Sequence, residues 1–523
     1  MNASENAFIK ASDLIQSLLN QDELKESLSL GGFHYLNIIA PFLVYAGFAD
    51  AIDRHQKHAQ PGPVPSSSKL WLKTKAFLGS LNFLGNDSSH FAEQKRKSCQ
   101  TALLLGYTGY FAREILIPLH SYLSHEKTFS PVLVGDKVWK GFPRHGQDGS
   151  AISIWNAWSA RSAKTLGILI RDLIRAQEHI ARHSLLEAAI NKIDPSLTPY
   201  IVPHLNHALY WTLPKLTAYH ALAATLLPDL SPSILVNPDV CDYRTRMFEA
   251  VAQKEGIPSL GLQFGVYGPN DVEWRFFRSD HLAVTGEKNY NYMLQHLIRA
   301  DQMTITGSPR FDAISAQLED TIAAHRQKNE KAAARRIRLL FASQPYYYGA
   351  FSSPEARFAM IESLLRAVSF SNDFELVFKP HPVENIKELK SLLAVHKNIV
   401  LARPQDDIRR LTAEADAFVT FFSGSAFEAL AWGKPVMNLC FPNSYIDKMF
   451  VESNATYLAR NHEEIIEFLN ILRRGDDARN KDGALPSVKR GRSFLNSWFD
   501  CSKGVPSRNI SALMEAISQK VSV

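Results

Sequence analysis

Ala417-Phe-Val-Thr-Phe-Phe-Ser-Gly-Ser-Ala-Phe-Glu-Ala-Leu-Ala-Trp-Gly-Lys-Pro-Val-Met-Asn-Leu439 places two short apolar runs on either side of a polar turn and an amphipathic stretch. Ala417–Thr420 has the length and composition of a buried strand, Ser423-Gly-Ser425 that of a turn, Ser425 to Trp432 the spacing of a helix, and Pro435–Leu439 that of a second strand. Strand, turn, helix, strand is a βαβ unit, whose crossover makes the two strands parallel. An α/β protein is expected.

The same rhythm extends upstream. Ile337–Gln344, Glu375–Lys379 and Asn398–Leu401 are short apolar runs, and Pro354 to Ser369 is helical between the first two. An earlier series opens with Thr101–Leu105, the turn Gly106-Tyr-Thr-Gly109, the amphipathic stretch Phe111–Leu123 and Pro131–Val134. After long helical stretches (Ala160–Ile190 and Val202–Leu227) it resumes with Ser233–Pro238, Ser259–Gln263, His281–Thr285 and Met303–Thr306. Two Rossmann-like domains in series are implied. The expected division is a helical N-terminal extension over 1–97, a first Rossmann-like domain over 98–325, a second over 326–485, and closing helices over 486–523. The polar, basic stretch Ala323–Arg336 reads as a helix end leading into a linker, and Arg473–Arg492 as a basic loop.

A chain of 523 residues with 46% hydrophobic, 11% aromatic and 21% charged residues is globular, which excludes collagen-like, coiled-coil and disordered classes. Its 58 Lys+Arg against 52 Asp+Glu leave +6, too thin for the dense basic stripe of a nucleic-acid binder. Cys99, Cys241, Cys440 and Cys501 stand far apart without metal-ligand spacing, so neither a disulfide framework nor a zinc site is expected. The N-terminus lacks a basic-then-apolar leader, which points to a cytoplasmic protein. Phe33–Ala51 is apolar but carries His34, Asn37, Pro41 and Asp50, as a buried or interfacial helix would. Lys69–Phe77 mixes cations and aromatics; it reads as a surface helix, with contact to the inner membrane face as the alternative.

Two segments of the second domain carry chemistry. At the Ser423-Gly424-Ser425 turn a strand ends and a helix begins, so backbone N–H groups and the helix dipole suit a phosphate. Ser423 and Ser425 add hydroxyls, Gly424 permits close approach, and Glu428 one turn on can accept from ribose. An N-cap completed by Glu428 as a capping box is the structural alternative. In Phe378-Lys-Pro-His-Pro382 two prolines fix His381 beside Lys379 after a strand, giving an imidazole and an ammonium for a leaving phosphate.

These residues resemble the GT-B-fold transferases of bacterial surface polysaccharides, a group that includes HP-motif sialyl- and Kdo-transferases and CDP-glycerol polymerases. The resemblance runs from Asp239 to about Leu439 through Asp242-Tyr-Arg244, Gly256–Gly265, Thr306–Asp312, Lys379-Pro-His-Pro382 and the serine-to-Gly433-Lys-Pro435 segment. It implies a nucleotide-sugar donor site on the second domain, an acceptor site on the first, and transfer without a bound metal or other cofactor. His381 and Ser425 would hold the donor phosphates, Glu428 the ribose, and Gln344 would face the donor. Where family members often have Gln-His-Gly, this chain has Gln263-Phe-Gly265, and Phe264 cannot move a proton. A base for the acceptor is then sought at Asp242 first, Glu273 second and Asp148 third. Gly106, Gly109 and Gln263 are expected at the acceptor site. The expected function is glycosyl transfer from a nucleotide-activated sugar, with a CMP-linked donor favoured over UDP or CDP, to a surface-glycan or lipid-linked acceptor. Nucleic acid is not an expected partner. Polyol-phosphate transfer, nucleotide-sugar epimerisation, or an inactive relative that binds nucleotide or glycan are the alternatives.

Overall fold

Each of the eleven apolar runs named above is a strand in the computed structural model, which describes residues 3–62, 100–136, 151–265, 272–295, 298–312, 336–346, 351, 353–440, 453–474, 485–486, 488–500 and 502–520. A small hairpin of β1 (Ser29–Leu30) and β2 (Phe33–His34) comes first. The first sheet holds β3 (Gln100–Leu105), β4 (Phe129–Gly135), β5 (Ala151–Ser153), β6 (Ile234–Asn237), β7 (Ser259–Leu262), β8 (His281–Val284) and β9 (Met303–Ile305). The second holds β10 (Ile337–Ala342), β11 (Phe374–Lys379), β12 (Ile399–Leu401), β13 (Ala417–Thr420), β14 (Val436–Leu439) and β15 (Tyr457–Ala459).

Strand order is β5-β4-β3-β6-β7-β8-β9 in one sheet and β12-β11-β10-β13-β14-β15 in the other, and every neighbouring pair is parallel. Counted from its own first strand, each sheet reads 3-2-1-4-5-6, with β9 as a seventh strand of the first. This is the Rossmann order, and it opens a crevice beyond the strand C-termini where the winding reverses, between strands one and four. Those points are β3/β6 and β10/β13.

The two compact units are Met1–Arg310 with Val505–Val523, and Phe311–Gly504. The sequence division at 325/326 thus differs from the structural one, and the closing helices divide. Val488–Trp498 stays with the C-terminal unit, where Phe494 stacks on Phe427 at 5.4 Å. Pro506–Lys520 returns to the N-terminal unit, where Ile510 and Met514 join the core of Leu104 and Leu133.

The helices at the N-terminus (Ala3–Leu19, Asp22–Ser27, Tyr35–Leu43 and Ala49–Gln56) are also part of the N-terminal unit rather than a separate extension: Leu14, Ile15, Leu18, Ile38 and Ile39 share one core with Leu103, Leu216 and Phe248. A single layer of short helices cannot bury its own apolar faces. The attachment is also polar. Pro41 has no N–H for the Asn37 carbonyl, and the buried Arg246 guanidinium supplies donors to Asn37 O (3.1 Å) and Ile38 O (2.8 Å) instead. Gly47, at φ 150°, lies where a Cβ would come 2.3 Å from the His204 ring, so any side chain there would have to displace that ring and adopt a strained backbone conformation. Tyr35–Gln56 is the one helix among the described residues long and apolar enough to cross a membrane by length and composition, and most of it is buried within this unit. The stretch expected as a single helix from Ala160 is broken at Ser184 (φ 47°) into Ala160–Arg182 and Leu185–Asn191.

Candidate functional site

Beyond β10 and β13, Gln344 bridges the switch point of the C-terminal unit. Its Oε1 accepts from Phe422 N at 2.8 Å, and Thr420 Oγ1 donates to Ala342 O at 2.8 Å. The Ser423 and Ser425 hydroxyls lie 2.5 Å apart, and Ser423 Oγ accepts from Ser425 N at 3.2 Å as the short helix Ser425–Ala431 begins. Gly424 is in right-handed helical conformation (φ −56°, ψ −16°), so its backbone conformation does not itself require glycine. Glu428 is fully buried, and Arg409 Nε lies 3.6 Å from its Oε1. Gly433 (φ 66°) ends that helix, and Lys434 Nζ donates to Ala413 O and Ala415 O at 3.1 and 2.6 Å. Gly433-Lys-Pro435 is therefore a helix stop and a strand start.

Lys379, Ala342, Thr420 and Asn438 lie level across β11, β10, β13 and β14. The buried Lys379 ammonium donates to Pro380 O (3.0 Å) and Pro404 O (2.8 Å), holding the loops after β11 and β12. His381 is half-buried. Its Nδ1 accepts from Val383 N at 3.4 Å, which assigns the proton of the neutral ring to Nε2. Burial lowers the imidazole pKa; Glu384 opposes that shift and Lys379 adds to it. The ring is thus a neutral donor near pH 7.

Sequence reading missed the pair that fixes this turn. Glu384 accepts from His381 N (2.6 Å), Ser343 Oγ (2.9 Å) and Arg357 Nη2, while Arg357 Nε donates to Gln344 O at 2.5 Å. Both side chains of this ion pair are buried. A charged residue in the first turn after Pro354 and a Glu two residues after Pro382 were the available signals.

In the N-terminal unit, Gly106 N donates to Val134 O at 2.7 Å, and a Cβ on Gly106 would stand 3.0 Å from Leu133, so glycine here serves strand packing. Gly109 begins the short helix Gly109–Phe111. Gln263 is buried, accepting from Thr285 N (2.9 Å) and donating to Gly265 O (2.6 Å). Phe264 packs its ring on Phe111 (4.2 Å) and Tyr110 (5.0 Å). Glu273 is buried and accepts from Tyr45 Oη, which ties it to the N-terminal helices. Asp148 and Lys69–Phe77 lie outside the described residues.

Asp242 caps the helix Tyr243–Lys254 by accepting from Arg244 N (2.8 Å) and holds the Arg244 guanidinium with both oxygens. Arg244 also pairs with Asp136, just beyond β4, which accepts from Tyr219 Oη at 2.8 Å. Asp239, three residues before Asp242, was not singled out from the sequence. It sits beyond β6 at the switch point, half-buried. Its Oδ2 accepts from Thr108 Oγ1 (2.7 Å), across from β3, and its Oδ1 from Cys241 N and Asp242 N (both 3.2 Å). Burial, and then repulsion from Asp242, push its pKa up to about 6 against those hydrogen bonds. At the same edge, Tyr107 Oη and Asn237 Nδ2 are buried without a hydrogen-bond partner among the described residues.

Two Rossmann-like domains, each with a polar switch-point edge, define a GT-B-type α/β protein, and comparison with solved structures finds that fold. UDP-GlcNAc 2-epimerase from Neisseria meningitidis bound to UDP-GlcNAc is 16% identical, with 80% of this chain and 100% of that chain covered and a TM-score of 0.50. The S. aureus MnaA–UDP structure is 14% identical (80% and 96% covered, TM-score 0.49), and a glycosyltransferase from Rickettsia africae 12% (80% and 99%, TM-score 0.48). Such identities speak of fold alone. Residues 271–491 match the family model described as CDP-Glycerol:Poly(glycerophosphate) glycerophosphotransferase, which supports a transferase. A search of curated protein sequences finds no significant match.

Proposed function

We propose that the chain is a transferase that moves a group from a nucleotide-activated donor to an acceptor hydroxyl, with a CDP-linked polyol phosphate as the first-choice donor. The observation that carries the reading is Asp239: a half-buried carboxylate at a Rossmann switch point, with a pKa near 6, can take the proton of an attacking hydroxyl close to neutrality. The family match over 271–491 supports the donor class. In such a reaction the acceptor oxygen bonds to the phosphorus that bears the polyol, the bond from that phosphorus to CMP breaks, and the hydroxyl proton passes to Asp239. The C-terminal unit binds the nucleotide phosphates with neutral donors: the hydroxyls of Ser423 and Ser425 and Nε2–H of His381. A CMP-linked sugar is the competing donor, favoured by the pairing of the Lys379-Pro-His-Pro382 turn with the serine turn; the same groups would then hold the departing phosphate while the anomeric carbon is attacked.

The experiment is calorimetric titration with CMP, CDP and UDP, followed by assay of CDP-glycerol, CMP-sugar and UDP-sugar turnover. Cytidine-nucleotide binding with release of CMP from CDP-glycerol is the expected result. Binding without turnover of any donor would sink the transferase reading, and free epimerised sugar formed from a UDP-sugar without acceptor would replace it.

A further inference from the structure

The loop that follows β3 is tied to the carboxylate assigned as the base. Thr108 Oγ1 donates to Asp239 at 2.7 Å, and the short helix Gly109–Phe111 begins at the next residue. Tyr110 is two residues from that bond, and two residues span at most about 7 Å, so it stands at the same sheet edge as the base. Its ring is 44% exposed. Phe264 supports it at 5.0 Å with the ring planes 74° apart, and Phe264 in turn packs on Phe111 at 4.2 Å. An edge-to-face contact covers at most one face of a ring. Single exposed aromatics are ordinary on a protein surface. One held on an aromatic support beside a proton acceptor, at the crevice that the strand order opens, is placed to receive a ligand ring.

The charges at this edge select the kind of ring. Asp136, Asp239 and Asp242 stand against one guanidinium, Arg244, which Asp242 takes with both oxygens and Asp136 with one. A cation compensated twice over has little left for a phosphate, and a phosphate brought up to Asp239 would meet three carboxylates. Hydroxyl groups fit there, since carboxylates accept and guanidinium N–H groups donate. A neutral sugar supplies hydroxyls along its rim and C–H groups on its faces, and those faces suit an aromatic ring. The matching family is named for an anionic acceptor, poly(glycerophosphate), but the match covers 271–491, and Thr108, Tyr110, Asp136 and Asp239–Arg244 all lie outside it.

We propose that Tyr110 is the platform on which the acceptor stacks, and that the acceptor is a neutral sugar rather than a phosphate-bearing chain. The inference rests on the transferase reading for the reaction at Asp239, while acceptor binding is measured without it.

The test offers the full chain p-nitrophenyl glycosides of glucose, galactose and N-acetylglucosamine, and a glycerol phosphate trimer, with CDP-glycerol as donor. CMP release and, separately, calorimetric binding of each acceptor are read. A glycoside should be bound and used at least about tenfold better than the trimer, and what turnover the trimer supports should rise with salt as the repulsion is screened. Tyr110→Ala should raise KM for the glycoside about tenfold with kcat within about twofold of the parent's, and Tyr110→Phe should restore the parent KM. Should Tyr110→Ala melt lower than the parent, Tyr110→Leu, which keeps apolar bulk against Phe264 without a flat face, should show the same rise. Tighter binding or faster turnover with the trimer than with every glycoside, or a parent-like KM in Tyr110→Ala, would overturn the inference and leave the transferase reading standing. Glycoside binding that Tyr110→Ala weakens, without CMP release from any donor, would sink the transferase reading and leave the platform in place.

Discussion

At the switch point of the N-terminal sheet stand Asp136, Asp239, Asp242 and Arg244; at that of the C-terminal sheet stand Gln344, Thr420, Ser423 and Ser425, with His381 beyond the next strand. The strand order is the same, yet the charges are used differently. In the C-terminal unit Lys379 and Lys434 are turned onto backbone carbonyls and Arg357 onto Glu384, so the cations hold loops in place and neutral groups line the edge. In the N-terminal unit a carboxylate lies at the edge itself, held partly protonated by burial and by its acidic neighbour. One edge is suited to gripping an anion by pre-oriented hydrogen bonds and the other to moving a proton.

The comparison breaks most sharply at Asp239. Asp239→Asn should lower turnover about 10²- to 10⁴-fold, and the acid limb near pH 6 should vanish from the pH–rate profile. Stability should move the other way. The folded pKa lies above the ordinary 3.8, so the folded state binds the extra proton, and Asp239 costs stability as pH rises from about 4 to 6 and fully above that. The Asn variant should therefore be more stable at pH 7, by up to about 3 kcal/mol in denaturant unfolding, and the gain should disappear near pH 4. A variant that lost activity and stability together would make Asp239 a structural residue.

Next in size is the buried Arg357–Glu384 pair. Arg357→Leu leaves Glu384 unpaired beside His381 and should cost about 3–5 kcal/mol, read from denaturant unfolding, with part of the loss recovered in Arg357→Leu/Glu384→Leu. His381→Ala should then slow turnover about a hundredfold while the melting temperature stays close to the parent's, as expected for a donor that acts on a leaving phosphate. An unchanged rate would remove His381 from the mechanism.

Legibility followed burial. Strands such as Leu339–Phe341 or Leu103–Leu105 are covered on both faces and so appear as unbroken apolar runs. Burial is not the whole account: the edge strands β5 and β15 went unread, while β9 and β12, equally short and also at the sheet edges, were read. The serine turn and the Lys379-Pro-His-Pro382 turn were visible because Gly and Pro mark the backbone. Lys379 and Glu273 were visible only as residue types, and what they touch depends on loops and helices distant in sequence: Pro404 for one, Tyr45 for the other. Asp239 was hidden for the same reason. Its pKa is raised first by burial at the β3/β6 edge and then by Asp242, against the hydrogen bond from Thr108, 131 residues away in the chain.

The smallest effect sharpens the N-terminal edge. Phe264 stands where the resemblance to surface-polysaccharide transferases leads one to expect a histidine, and placing a histidine there tests whether that position can serve as a base. In this fold the ring is held in an aromatic cluster with Tyr110 and Phe111 and packs against the core that includes Leu260 and Leu262. An imidazole there would exchange part of that apolar contact for a polar ring, and a half-buried polar group among aromatic rings loses some of its hydration. Phe264→His should accordingly lower the melting temperature without raising turnover, and Asp239→Asn should remain inactive in its presence. A rate increase, or rescue of the Asp239 variant, would show that the histidine position is open to the reacting hydroxyl and that the proton leaves by that route.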